Sequence, residues 1–204
     1  MAPYLETVKS FTEVPITNEG VDTVVFLEAA DGLVGLFDIL GSAAFSVVQN
    51  DLKGNITKVR TRYEATPTLS KTLELLVENE KNEKKRVATE GLLWLLRGLS
   101  FTCQALQNAQ ANLSEELSTA FTKSYENTLK KFHNFVVKGI FAVAMKACPY
   151  RADFYAKLAA DPAGGPAATQ EKLNEELNAW LAALSSIVAR VQTFYVEGKH
   201  DKGF

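Results

Sequence analysis

Residues 87–108 constrain the fold more than any other stretch. Leu92, Leu93, Trp94, Leu95, Leu96, Leu99, Phe101, Cys103 and Leu106 recur there at helical spacing and leave almost no polar face. A helix that is apolar nearly all round has to be enclosed by other elements. The rest of the chain can enclose it. Helical spacing also predicts elements over about 21–40, 43–63, 68–82, 114–147 and 151–160. A last helix carries Leu173, Leu177, Trp180, Leu181, Leu184, Ile187, Val188, Val191 and Phe194 as a full apolar stripe. Gly41-Ser42 stops the first helix. Ser114 reads as the N-cap of the 114–147 helix, with Glu115 and Glu116 in its first turn and a kink near Gly139. Cys148-Pro149-Tyr150 breaks that helix, and Asp161 to Pro166 is the clearest loop. Sustained alternation that would signal strands is scarce. The expectation is one all-α domain over 1–204, built from packed helix layers.

Length and charge narrow the function. The chain has 204 residues and is 47% hydrophobic, enough for one well-buried domain. Its 22 basic and 24 acidic residues leave a net charge of -2, which argues against a nucleic-acid binder working by phosphate neutralisation. Cys103 and Cys148 fall in apolar helical surroundings and are expected as free thiols in a reducing, cytoplasmic setting. The N-terminus shows neither a basic n-region nor an apolar h-region, and no apolar run reaches membrane-spanning length without a charge.

Catalytic patterns are missing. His133 and His200 have no Cys or His neighbour at metal-ligand spacing, so no metal is expected. There is no nucleophile elbow, phosphate-cradling glycine loop or dinucleotide fingerprint, so neither an enzyme nor a cofactor is expected. One polar group stands out instead. Asp51, Asn55 and Lys58 fall at i, i+4 and i+7, within roughly 60° of one another on a helix. The apolar face of Phe45, Val48, Leu52, Ile56, Val59 and Tyr63 centres about 90° away. An acceptor, an amide and a cation on that shoulder suit a many-hydroxyl ligand beside an apolar interior. Polar residues so spaced are usually just the solvated edge of a helix, so support must come from elsewhere. His133, in line with Leu129, Val136 and Ile140, reads as inward-pointing, either a core histidine bonded to a backbone carbonyl or a donor to one polar group of an apolar ligand; Trp94 is either a core tryptophan or an indole face for a sugar ring.

Motifs in order supply that support: Asp51-Leu52-Lys53-Gly54-Asn55-Ile56-Thr57-Lys58, Leu93-Trp94-Leu95-Leu96-Arg97-Gly98-Leu99, Leu129-Lys130-Lys131-Phe132-His133 and Ala147-Cys148-Pro149-Tyr150. Together they resemble the glycolipid transfer protein family, most of all its fungal heterokaryon-incompatibility type, from about Phe26 to the last helix. The resemblance implies a two-layer α-helical sandwich with an apolar lipid tunnel between the layers. It also implies non-enzymatic carriage of one glycosphingolipid between membranes by a monomer. Asp51, Asn55 and Lys58 would bond the first sugar and the ceramide amide region, Trp94 would stack on that sugar, and His133 would bond the amide carbonyl. By position, Phe37, Leu40, Phe45, Val48, Phe101, Leu129 and Phe141 would line the chain pocket. Phe135 and Tyr150 are the expected membrane contacts, with Lys138, Lys146 and Arg151 beside them.

The branch carrying phosphorylated sphingolipids uses extra cations at the site. Here those positions look like Asn55, Trp94 and Gly98, while Arg97 belongs to the shared motif, so a neutral sugar such as glucosyl- or galactosylceramide is favoured. Phe135 stands where the best-known animal members carry tryptophan, two residues after the histidine. Phe lacks the polar N–H that suits a ring to the membrane interface, which bears on docking strength and not on the ligand site. A helical interaction module that signals through its surface is the competing expectation.

Overall fold

The computed structural model describes residues 4–41 and 43–204. Ser42, in the expected stop of the first long helix, and the first three residues lie outside them. A short helix, α1 (Tyr4–Thr7), precedes the elements the periodicity shows, pinned by the Tyr4 hydroxyl donating to Gly32 O at 2.6 Å. A two-residue antiparallel ribbon pairs β1 (Ile16–Thr17) with β2 (Gly20–Val21). Helix α2 (Thr23–Leu40) follows, its first turn capped by the Asp22 carboxylate. Gly41 closes it with φ 69°, a left-handed conformation that favours glycine. Then come α3 (Ser46–Ala65), α4 (Leu73–Glu80) and α5 (Val87–Ala111). The start of α5 has buried amides that need acceptors. Glu80, itself buried, takes hydrogen bonds from Ala88 N at 3.1 Å and from Thr89 N at 2.7 Å.

The expected helix over 114–147 is two helices, α6 (Leu117–Asn127) and α7 (Phe135–Lys146), separated by a 3-10 turn at Lys130–Phe132. Ser114 is not its N-cap; α6 starts after Glu116. The break falls before Asn134, and Gly139 lies inside α7. Asn134 competes successfully with helix continuation because its side-chain oxygen accepts from Val136 N at 3.0 Å and Val137 N at 3.1 Å, starting a new helix. His133 is therefore in extended backbone, not on a helical stripe. Of its expected stripe-mates Leu129 is buried, while Val136 and Ile140 are exposed. Helices α8 (Arg151–Ala159) and α9 (Gln170–Gly198) complete the chain.

Helix α5 sits at the centre, packed by α3, α6, α9 and α4, as its all-round apolar surface requires. Leu92, Leu95, Leu96, Leu99 and Phe101 are fully buried, while Trp94 among them stays half-buried. Helix α9 is long and apolar enough to cross a membrane, with mean hydropathy 1.2. Its apolar stripe from Leu173 to Val191 is nonetheless buried in the protein, which is how a core helix meets that criterion. The interior between the helices is packed. Phe37, Phe45, Phe101, Phe121, Tyr125 and Phe141 form a continuous ring cluster with centroids 4.7 to 6.3 Å apart. The expected tunnel is thus filled by side chains. Cys103 is buried in α5, whereas Cys148 is half-buried just after α7; burial pushes both free thiols up to about 12. His200, expected near a polar tail, is buried with its ring stacked 4.8 Å from Phe194.

Candidate functional site

Two glycines bring the site together. A Cβ on Gly91 would stand 2.9 Å from Lys58 Cβ, and one on Gly98 would stand 2.7 Å from Leu52 Cδ2. Their bare faces let α3 approach α5 closely on either side of Trp94. A cavity of about 440 Å³ opens along this seam, walled by Asp51, Asn55 and Lys58 of α3 and by Glu90 and Trp94 of α5. Phe132, His133 and Asn134 of the turn and Val137 and Phe141 of α7 close it opposite. The five residues singled out from the sequence all border this one space.

The α3 residues form a chain of hydrogen bonds. Lys58 Nζ donates to Asn55 Oδ1 at 3.1 Å, and Asn55 Nδ2 donates to Asp51 Oδ2 at 3.2 Å. Asn55 is buried, so the two bonds fix its amide. Lys58 thus reaches Asp51 through the amide. Asp51 keeps an exposed edge, yet the protein packed round its carboxyl displaces water. That burial raises its pKa above the usual carboxylate range and outweighs the lowering by Lys58 and by the Asn55 bond.

His133 Nδ1 lies 3.1 Å from the Tyr125 hydroxyl. Its ring is 4.7 Å from Phe141 and stacks at 6.3 Å on Trp94. Burial, then Lys138, pushes its pKa down, which holds the imidazole neutral. The tautomer in which Tyr125 donates to Nδ1 carries its proton on Nε2, where it is available to a ligand. Trp94 is held from another side by Arg97, whose guanidinium carbon lies 4.5 Å from the indole centroid, and Phe132 packs edge-on against the indole at 6.2 Å.

Cavity size by itself does not mark this place. A larger hollow of about 630 Å³ lies between the ribbon, α4 and α9. There Glu74 already binds Arg190 Nε and Val21 N, both at 2.8 Å. It offers no platform comparable to Trp94 with a donor and acceptor set.

A family model described as glycolipid transfer protein matches residues 21–160. A glycolipid transfer protein of Aureobasidium melanogenum is 47% identical over 192 residues, 94% of this chain and 92% of that one. The chain belongs to the glycolipid transfer protein family. Glycolipid transfer protein B of Xenopus laevis is 34% identical, covering 86% of this chain and 87% of its own. Among solved structures, the fungal glycolipid transfer protein HET-C2 superimposes with a TM-score of 0.88 at 47% identity, over 98% of this chain and 99% of that one. Proteins of this family transfer lipids and are not enzymes.

Of the expected chain-pocket residues, Val48, Leu129 and Phe141 border the cavity. Phe37, Leu40, Phe45 and Phe101 do not; they are buried behind it. Phe135 is 85% and Tyr150 75% exposed. Arg151 is tied to Ala109 O at 2.6 Å and lies over Tyr155, so it is not a free surface cation. Sequence reasoning missed Tyr125 and Glu90. Glu90 stands one helical turn before Trp94, a spacing that alone could have flagged it; its carboxylate has no hydrogen-bond or ion-pair partner among the described residues. Tyr125 carries no sequence signal, because its contact with His133 depends on the break before Asn134.

Proposed function

We propose that this chain extracts one glycosphingolipid with a neutral sugar, carries it as a monomer through the cytosol, and delivers it to another membrane. The observation that carries this reading is a single cavity where an indole face, a fixed acceptor–amide–cation chain and a neutral imidazole donor converge. Phe141 of the apolar ring cluster borders the cavity, and the other rings lie buried behind it. The first sugar stacks on Trp94 and exchanges hydrogen bonds with Asp51, Asn55 and Lys58. The His133 Nε2 proton goes to the ceramide amide carbonyl. The acyl and sphingoid chains follow by parting Phe37, Leu40, Phe45 and Phe101, which they replace as one another's packing partners.

Affinity and choice then have different sources. Burying each lipid CH₂ contributes about 0.8 kcal/mol whatever the headgroup. Selection comes from the polar wall, because a ligand without hydroxyls leaves Asp51 and Asn55 unpaired in a desolvated place. Two carboxylates, Asp51 and Glu90, face one ammonium, Lys58, across the cavity. That balance disfavours phosphorylated or sulfated headgroups. Membrane contact is made by α7, whose Val136, Ile140 and Val143 form an exposed stripe beside Phe135 and Tyr150, with Lys138 and Lys146 on the same helix. An exposed apolar stripe with adjacent cations is the surface a bilayer interface accepts.

The test is transfer of fluorescent galactosylceramide between vesicles, with a ceramide phosphate in parallel. Transfer of the sugar lipid alone supports the reading. Transfer of the phosphate lipid, or of neither, overturns it.

A further inference from the structure

Phe132 is a wall common to two hollows. The second, about 420 Å³, is bordered by Arg97 and Ser100 of α5, by Asn127 and Lys131, and by Gln192 and Asp201 near the C-terminus. Arg97 is lodged between two rings, its guanidinium carbon 4.5 Å from the Trp94 centroid and 3.8 Å from that of Phe132. Stacking occupies the faces of a guanidinium and leaves its five N–H donors in the plane. Among the described residues none of them reaches an acceptor, and Arg97 has no ion pair. Lys131, 5.0 Å from the Phe132 centroid, is likewise unpaired. The side chains of Ser100, Asn127 and Gln192 also make no hydrogen bond among the described residues. The opposing charge, Asp201, borders the hollow within electrostatic reach of Arg97 but forms no ion pair among the described residues.

A planar cation immobilised by stacking, with its in-plane donors unused and an ammonium beside it, matches the oxygens of a phosphate. We infer that the Arg97–Lys131 hollow is a second binding site, which takes the phosphate of an anionic phospholipid while the neutral headgroup occupies the adjoining cavity. A lipid is the source because the hollow is walled by Phe132, 40% exposed, which stands three residues before Phe135, the 85% exposed ring assigned above to membrane contact. A phosphate held there orients the glycolipid cavity toward the membrane surface. The inference rests on the membrane-delivery reading only for the origin of the phosphate.

The experiment measures cosedimentation with phosphatidylcholine vesicles, with and without phosphatidic acid, and contains no glycolipid, so its failure is separate from failure of transfer. Phosphatidic acid is expected to raise binding severalfold. Arg97→Gln and Lys131→Gln should each remove about fivefold of it. Asp201→Asn should increase it, and Lys53→Gln, the same charge change on the solvent face of α3, should leave it unaltered. Circular dichroism checks the Arg97 variant; Lys131 and Asp201 are substituted at the surface and keep the test valid if that variant misfolds. Equal losses in Lys53→Gln and Lys131→Gln, or an indifferent Asp201→Asn, would overturn the site in favour of diffuse attraction. Inorganic phosphate, titrated at fixed ionic strength by tryptophan fluorescence, is expected to bind weakly and to compete with the vesicles. Tight phosphate binding without such competition would overturn the lipid assignment.

Discussion

The α3–α5 wall and the α7 wall of the headgroup cavity are built in opposite ways. The first is buried, glycine-fitted and cross-linked by the Lys58–Asn55–Asp51 hydrogen bonds, and α5 is anchored at its start by Glu80. The second rests on a 3-10 turn and a helix that buries only Phe141, Ala144 and Met145 of its twelve residues. A polar site selects among sugars only if its groups are held in place before the ligand arrives. An entrance for lipid chains needs apolar surface that can separate from its neighbours at small cost. On the function proposed above, the rigid wall of α3 and α5 serves selection, and α7 serves entry and membrane contact.

The largest effect expected from breaking the selective wall is that of Asp51→Val. It removes a charged acceptor and strands the Asn55 amide, a loss of roughly 1.5–3 kcal/mol, or about ten- to hundredfold in glycolipid affinity. Binding titration with helicity monitored in parallel checks it, and unchanged affinity would remove Asp51 from the site. Gly91→Ala should come next. Its Cβ meets Lys58 Cβ, so α3 must shift; overpacking costs about 1–3 kcal/mol, partly offset by about 1 kcal/mol of helix propensity over glycine. A lowered Tm together with weakened sugar binding is the expected pair of results, and a raised Tm with normal binding would show that the seam is not tight.

The entry wall should respond differently. Phe135→Ala is expected to slow transfer severalfold while leaving affinity for a soluble short-chain glycolipid unchanged, which a comparison of vesicle and solution assays resolves. Asp51→Asn probes the smallest effect, on stability. Because burial raises the folded pKa of Asp51, the folded state binds that proton more tightly than the unfolded chain does. Its charge therefore costs stability at neutral pH, and the cost is relieved as pH falls through the folded pKa. Asp51→Asn should accordingly hold or slightly raise Tm at neutral pH while weakening sugar binding. His133 runs the other way: its folded pKa is lowered, so stability present above the unfolded value is lost as pH falls.

Much of this molecule follows from local pattern. The central position of α5 follows from its apolar surface, and α3 presents Asp51, Asn55 and Lys58 together because 3.6 residues per turn place i, i+4 and i+7 on one side. These are properties of a helix by itself, so spacing in the sequence is enough to read them. The placement of Trp94 and His133 in the same site came from motif resemblance, and the structure puts both on one cavity.

What spacing could not supply is everything that depends on a second element. The apolar run from Leu129 to Ile140 reads as one helix, and only the Asn134 cap, competing against helix continuation, turns His133 out of it and toward Tyr125. The seating of Arg97 between Trp94 and Phe132, and of Glu90 on the same cavity as Asp51, needs α5, α3 and the turn to be assembled. The sequence determined the helices, the buried centre and the polar shoulder of α3, because those arise from contacts along one chain segment. The tertiary structure alone decided which groups were left unpaired and facing a cavity, because pairing and desolvation depend on neighbours distant in the chain.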